Sequence, residues 1–354
     1  MFRKMSYAFI VYITFVLVGN GSVLASEVNF TDELYSEAAI LIDSKSGKVL
    51  YEKNSHQKMY PASITKIITG ILAIEEGHLS EKVTVSQNAR EVIGTRVYLL
   101  EGEEVTLKKL IQGLLISSGN DAGVAIAEHI SGSEKAFASK MTKFVKETIG
   151  VENTNFTNPH GLFDEMHYTT AYDMAKISKY AMRNDTFRDI VSTKELRWIG
   201  EGWETTIYNH NRMLWNYEGA TGIKNGFVRK SGYTLVTSVV QEDTELIAVT
   251  LNAPSSKHAY RDMHRLFDYG FENFETKLIS KNEVFEDPFG GKYTLANDFY
   301  ITTQKNDTLF LDVSIYGYLK VIGRHNQLVG IRVLKRVEDQ FTKRNSLFLV
   351  SLDR

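Results

Sequence analysis

Three short groupings of residues could together carry out nucleophilic chemistry: Ser63-Ile-Thr-Lys66, Ser118-Gly-Asn120 and Lys224-Asn-Gly226. A serine hydroxyl attacks a carbonyl only when a base takes its proton. A lysine can be that base only when neutral, which requires burial or a second positive charge nearby. Ser63 and Lys66 are three residues apart at the start of an apolar run with helical spacing (Ile64, Ile67, Ile68, Ile71, Leu72, Ile74), so both side chains share one face. Helix-forming sequence begins at Pro61-Ala-Ser63, which places Ser63 in the first turn, where backbone N–H groups lack partners. Lys224 could supply the second charge from a strand, and Gly226 leaves room there for a peptide backbone to approach.

Each grouping alone is weak, because Ser, Lys and Gly are common. Ser55-His-Gln-Lys58, Ser86-Gln-Asn88, Lys45-Ser-Gly47 and Lys230-Ser-Gly232 have the same spacings. Context separates them: Ser55 has no helical run of its own, and Pro61 follows six residues later. Other chemistries lack their residues. There is no cysteine, hence no thiolate nucleophile, disulfide or Cys-ligated metal. The nine histidines form no H-E-x-x-H, and no G-x-S-x-G elbow, Walker or dinucleotide glycine pattern is present. Forty-one Lys+Arg against 43 Asp+Glu leave a net charge of −2, without the cationic field of a nucleic-acid binder.

The elements that must position these residues form an α+β pattern. Glu37 to Asp43 reads as a buried strand, Ser44 to Gly47 as a turn and Lys48 to Glu52 as the returning strand. Leu107 to Ile116, Ala122 to Ile130, Lys135 to Ile149 and Thr170 to Met182 read as helices. Strand-like stretches follow at Ile223 to Val228, Tyr233 to Val240 and Glu245 to Leu251, then a helix over Ser256 to Phe271. Strands at both ends with helices between predict one sheet that joins chain-distant strands. Beyond Glu275 the sequence is short-period and β-rich, which predicts a separate small domain over 275–354 after a catalytic domain over 26–274. At 354 residues and 43% hydrophobic content, two cores of this kind are affordable by size.

The N-terminus has Arg3 and Lys4, an apolar stretch from Tyr7 to Val18 and Val23-Leu-Ala25, which predicts a signal peptide over 1–25 and an extracytoplasmic protein. The C-terminal Asn345 to Arg354 is too short and one-textured for an amphipathic membrane anchor, so membrane association has no clear C-terminal basis.

Longer stretches carry a family likeness. Tyr60-Pro-Ala-Ser-Ile-Thr-Lys-Ile-Ile-Thr69, Leu114-Leu-Ile-Ser-Ser-Gly-Asn-Asp-Ala122, Asn158-Pro-His-Gly-Leu162, His167-Tyr-Thr-Thr-Ala-Tyr-Asp-Met174, Gly222-Ile-Lys224 and Ala253-Pro-Ser-Ser256 with Asp268-Tyr-Gly-Phe271 occur in order. Over Ser36 to Phe271 the chain resembles the serine-type D-alanyl-D-alanine carboxypeptidases, low-molecular-mass penicillin-binding proteins of the β-lactamase/transpeptidase-like fold. The resemblance implies an antiparallel sheet flanked by helices with a helical subdomain. It implies that Ser63 is acylated, Lys66 is its base, and Ser118 relays a proton to the leaving D-alanine. Asn120 would hold the substrate amide and Lys224 would shape the field, with Asn225 beside it. The backbone N–H groups of Ser63 and of Phe227, just after Gly226, would form the oxyanion hole. His160 would pack near the site. The implied partners are peptidoglycan stem peptides ending in D-Ala-D-Ala and β-lactams as acylating inhibitors, with no cofactor and no metal.

The third grouping departs from the family's Lys-Thr-Gly-x-Thr, whose first threonine helps bind the substrate's terminal carboxylate: Lys224-Asn-Gly-Phe-Val228 lacks both hydroxyls, though the Asn225 amide could still donate to that carboxylate. Lys230-Ser-Gly-Tyr-Thr234 fits that pattern better, but Gly232-Tyr-Thr-Leu-Val-Thr-Ser-Val239 matches the strand that follows it, so Lys224 is retained. A lost hydrogen bond to a charged group costs about 1.5–3 kcal/mol, which predicts weakened or altered carboxypeptidase activity. It also keeps open a cross-link endopeptidase and a weakly active or inactive wall-peptide binder. Lys257 and Arg261 are the nearest cations for the arginine that the family places near the start of the last helix.

Overall fold

The computed structural model describes residues 33–337; the predicted signal peptide and the C-terminal run from Asn345 lie outside them. The opening strand Ala38–Asp43 is apolar along almost its whole length and buried on both faces. Such a strand must lie inside a sheet with both sides covered. It pairs on one side with Val49–Lys53 and on the other, across some 200 residues of chain, with Thr244–Ala253, bringing Ile40 opposite Val249. The five-stranded antiparallel sheet then runs through Gly232–Gln241 to the edge strand Ala220–Val228. This is the predicted joining of chain-distant strands in an α+β fold.

The helix Ser256–Asn273 covers one face of the sheet. Its Gly270 permits close approach, since a Cβ there would fall 2.5 Å from Leu246 and 2.8 Å from Leu41. On the other side Lys66–Glu76 is buried through Ile67, Ile68, Ile71 and Leu72, with Leu107–Ile116, Asn120–Ser131, Glu134–Phe144 and Ala171–Ala181 around it. Side chains cap several of these helices, as where Thr170 Oγ1 accepts from Asp173 N at 3.0 Å. The helix predicted from Pro61 starts differently: Ala62–Thr65 is a 3₁₀ turn and the α-helix begins at Lys66. Because residues i and i+3 eclipse in a 3₁₀ turn, Ser63 and Lys66 face each other more directly than in an α-turn.

Beyond the last helix the chain is all β. Phe274–Ile279 pairs with Phe299–Gln304, and a five-stranded sheet is built from Phe285–Glu286, Lys292–Leu295, Leu328–Arg336, Tyr318–Ile322 and Phe310–Val313. This region has its own apolar cluster around Phe299, Ile301, Leu319 and Val321. Its seam with the larger sheet is polar: Thr276 Oγ1 donates to Asp43 Oδ2 at 2.6 Å, and Lys48 Nζ donates to Thr302 O at 3.1 Å. By strand register, the seam lies at the far end of the sheet from Gly226. The half-buried hairpin of Glu195–Ile199 and Glu204–Tyr208 was not among the predicted elements.

Candidate active site

The 3₁₀ turn carrying Ser63 is pinned from three directions. Thr234 Oγ1 donates to Pro61 O at 2.8 Å, tying the turn to the sheet. Gly161 lies against the carbonyl of Ala62, where a Cβ would come within 1.9 Å of the oxygen; its φ of +87° also calls for glycine. Gly226, on the edge strand, leaves a gap in which a Cβ would sit 2.6 Å from the backbone nitrogen of Ser63. Beneath the turn, His167 Nδ1 accepts from Thr157 N at 3.1 Å, which leaves Nε2, 2.8 Å from Thr65 Oγ1, as the protonated nitrogen. Burial holds that imidazole neutral, with its pKa lowered to about 3.

Lys66 is fully buried. Its Nζ is 3.0 Å from Ser63 Oγ, 2.8 Å from Asn120 Oδ1 and 2.7 Å from the carbonyl oxygen of His160. Burial and then the charge of Lys224 push its pKa well below the ordinary lysine value, while Asp121 opposes the shift. A neutral amine in this position donates to the two fixed acceptors, Asn120 Oδ1 and His160 O. Its lone pair then remains for the Ser63 hydroxyl, the arrangement a general base requires.

Ser118 sits between two helices with φ of +63°, buried, and its hydroxyl has no hydrogen-bond partner among the described residues. Asn120, expected to hold the substrate amide, is engaged within the protein at both ends: Oδ1 accepts from Lys66, and Nδ2 donates to Ile93 O at 2.7 Å. The next residue, Asp121, accepts from the backbone N–H groups of Val97, Leu99 and Ala122 and so anchors the loop through Val97 and Leu99. Burial raises its carboxyl pKa.

Lys224 is 1% exposed, and burial lowers its pKa to about 7. It donates to Asn225 O at 3.0 Å and to Asn225 Oδ1 at 3.3 Å, so the asparagine oxygen turns toward the lysine and its Nδ2 is left without a partner among the described residues. Phe227 is 52% exposed, its ring centroid 4.5 Å from that of Tyr233. Val228 has no donor on its side chain; its N–H is taken up by Ser231 Oγ within the turn. Of the two cations near the last helix, Arg261 is committed to Tyr35, donating to its hydroxyl at 3.1 Å, and Lys257 is exposed. Glu165 is likewise exposed.

Three contributors were not visible as such in the sequence. The His160 ring packs near the site as expected, but its backbone carbonyl also accepts from Lys66, and no residue type signals that. Asp121 lay within a quoted motif without a role. His210 is held in a loop between Asn209, which donates to Val191 O and Thr193 O, and Asn211, which donates to Thr237 Oγ1. Burial, then the charges of Lys224 and Lys66, lower the His210 pKa to about 4, which places an uncharged imidazole within electrostatic reach of both lysines at neutral pH.

The sequence profile of the D-alanyl-D-alanine carboxypeptidases matches residues 25–255. The chain belongs to that family. It is 39% identical over 260 residues to the D-alanyl-D-alanine carboxypeptidase DacF of Bacillus subtilis, a match covering 71% of this chain and 66% of that one. It is 32% identical over 315 residues to DacA of Haemophilus influenzae, covering 82% and 79%. The chain thus spans about two thirds of the first relative's length and more of the second's. Its fold is similar to that of penicillin-binding protein 5 from Haemophilus influenzae, with a TM-score of 0.77 at 27% identity, covering 87% of this chain and 98% of that one. In this family member all three sequence groupings converge: Lys66 contacts Ser63 and Asn120 directly, and the Lys224 strand brings Gly226 against Ser63.

Proposed function

We propose that this chain is a serine D-alanyl-D-alanine carboxypeptidase that removes the terminal D-alanine from peptidoglycan stem peptides through an acyl-enzyme at Ser63. The observation that carries the proposal is the buried Lys66 amine, held by two fixed acceptors with Ser63 Oγ 3.0 Å away, its pKa pushed well down by burial and by the charge of Lys224. Neutral Lys66 takes the Ser63 proton as Oγ attacks the carbonyl of the penultimate D-alanine. The N–H groups of Ser63 and Phe227 receive the developing oxyanion. Ser118, with its hydroxyl unengaged, passes a proton to the leaving D-alanine nitrogen. Water then enters, and the same base activates it to release the shortened peptide. A β-lactam presents an equivalent carbonyl and acylates Ser63 in the same way.

No cofactor takes part in this scheme. The substrate lies outside the cytoplasmic membrane, so the protein acts there, with the chemistry in residues 26–274 and residues 275–354 as a small separate domain. No helix among the described residues is long and apolar enough to cross a membrane. A second reading, an endopeptidase acting on cross-links, is favoured by one feature. Asn225 replaces the hydroxyl that, in the resemblance, helps bind a terminal carboxylate, and Val228 cannot donate at all; an internal peptide bond does not end in that carboxylate. Incubation with a stem pentapeptide and with a cross-linked dimer separates the two. Release of free D-alanine, absent in Ser63→Ala, supports the carboxypeptidase; dimer cleavage without D-alanine release replaces it with the endopeptidase.

A further inference from the structure

The Lys66 amine depends on a backbone carbonyl, that of His160, and the side chain of the same residue is held by a group outside the sequence motifs. Glu134 is the first residue of the helix Glu134–Phe144. Its Oε2 lies 3.1 Å from His160 Nε2. The other ring nitrogen, Nδ1, accepts from Leu162 N at 3.2 Å. An accepting Nδ1 fixes the proton on Nε2, so the neutral ring donates to Glu134 and is satisfied at both nitrogens. The ring is nearly inaccessible to water, and burial lowers its pKa; the hydrogen bond from His160 in turn lowers that of Glu134.

The carboxylate is itself held in place. Ser133 caps the helix by accepting from Ala136 N, and Asn88 Nδ2 donates to Glu134 Oε1 at 3.2 Å. A negative group at a helix N-terminus is also favoured by the backbone dipole. The loop carrying His160 approaches the nucleophile helix through consecutive carbonyls: Pro159 O accepts from Thr69 Oγ1 at 2.6 Å and His160 O from Lys66 Nζ at 2.7 Å. Asn158 Oδ1 accepts from Gly161 N at 2.7 Å and closes the loop on itself. Removing the carboxylate would leave a buried ring N–H unpaired. The ring could regain a partner only by turning, and the peptide carrying the Lys66 acceptor would move with it.

We infer that Glu134 is a positioning residue for the general base, acting through the His160 ring to hold the carbonyl that orients Lys66. The inference rests on the assignment of Lys66 as base. Its role is geometric, since the carboxylate bonds the His160 ring and the carbonyl of that residue accepts from Lys66.

The test compares Glu134→Ala and Glu134→Gln with the wild type in D-alanine release from a D-Ala-D-Ala stem peptide, together with crystal structures of wild type and Glu134→Ala. Misplacing a catalytic group by about 1 Å can cost as much as 100-fold; for this indirect displacement the expected loss in kcat is about tenfold, with KM unchanged. Glu134→Gln keeps an oxygen that can accept from Nε2–H and should stay within about twofold of wild type. In the Glu134→Ala crystal the contact between Lys66 Nζ and His160 O should be lengthened or lost. An unchanged kcat in Glu134→Ala, a Gln variant as slow as the Ala variant, or a loss confined to KM overturns the inference. If the wild type releases no D-alanine, the carboxypeptidase reading fails, and the crystal comparison still decides: a Lys66–His160 contact kept at wild-type length removes Glu134 from the role.

Discussion

Gly226→Ala adds one methyl group at the point where the edge strand meets the nucleophile. The new carbon would stand 2.6 Å from Ser63 N, 2.7 Å from Thr234 Oγ1 and 3.2 Å from Ala62 Cβ. Ordinary contact begins near 3.4 Å, so the edge strand and the Ser63 turn must separate by about 0.8 Å. Neither can yield by rotating a flexible side chain, because one contact is backbone and Thr234 is fixed by its bond to Pro61 O. Gly226 does not have a positive φ, so the substitution tests the close approach without adding backbone strain. The two proposed oxyanion donors, Ser63 N–H and Phe227 N–H, lie on the two sides being forced apart. Loss of one such donor costs about 100- to 1,000-fold in rate. Acylation of Gly226→Ala by benzylpenicillin, followed by stopped-flow or quench and intact mass, should therefore be slower by about two orders of magnitude. The melting temperature is the control for folding. Acylation within twofold of wild type would show that the gap between Gly226 and Ser63 has no part in binding the oxyanion.

Lys224→Met removes a charge that lowers the Lys66 pKa, so that pKa rises and the acidic limb of the acylation pH profile should move to higher pH; a limb that stays put would leave burial as the whole cause. In the wild type the Lys224 pKa of about 7 should set the alkaline limb, because its positive charge fades above that pH. Asn225→Thr restores a hydroxyl and should raise kcat/KM on D-Ala-D-Ala peptides by about tenfold, the equivalent of one hydrogen bond to a charged group; an unchanged value would show that Asn225 Nδ2 already serves. Asp262→Ala leaves buried Ser36 N and Oγ without their shared acceptor, at 2.7 and 2.6 Å, and should destabilise the fold by about 3 kcal/mol in urea denaturation without changing the pH profile.

The parts of the site legible in the sequence were those whose chemistry belongs to side chains close along the chain or within a recognisable run. Ser63 and Lys66 share a helical face, and the apolar period after them located the helix to within a few residues. Leu107–Ile116 matched its prediction because its apolar face is continuous, and the joining of Ala38–Asp43 to Thr244–Ala253 followed from strands at both ends of the helical stretch. What the sequence hid acts through the backbone or across long separations. The His160 carbonyl is present in every residue type, and Glu134 reaches that ring only because the loop carrying His160 packs against the start of the helix Glu134–Phe144. The Asn209–Asn211 loop is held by hydrogen bonds to carbonyls of another segment. The hairpin at Glu195–Ile199 and Glu204–Tyr208 escaped because alternation there is weak: Trp198 and Ile207 are buried while their neighbours are mostly exposed or half-buried and polar.

Acylation is expected at Ser63, with Lys66 as its base. Intact-protein mass spectrometry after incubation with benzylpenicillin, on wild type, Ser63→Ala and Lys66→Ala, tests it most directly, with circular dichroism to confirm folding. One penicilloyl adduct is expected on the wild type, mapped to the peptide containing Ser63, and none on either variant. An adduct on Ser63→Ala, or normal acylation of Lys66→Ala, would contradict it.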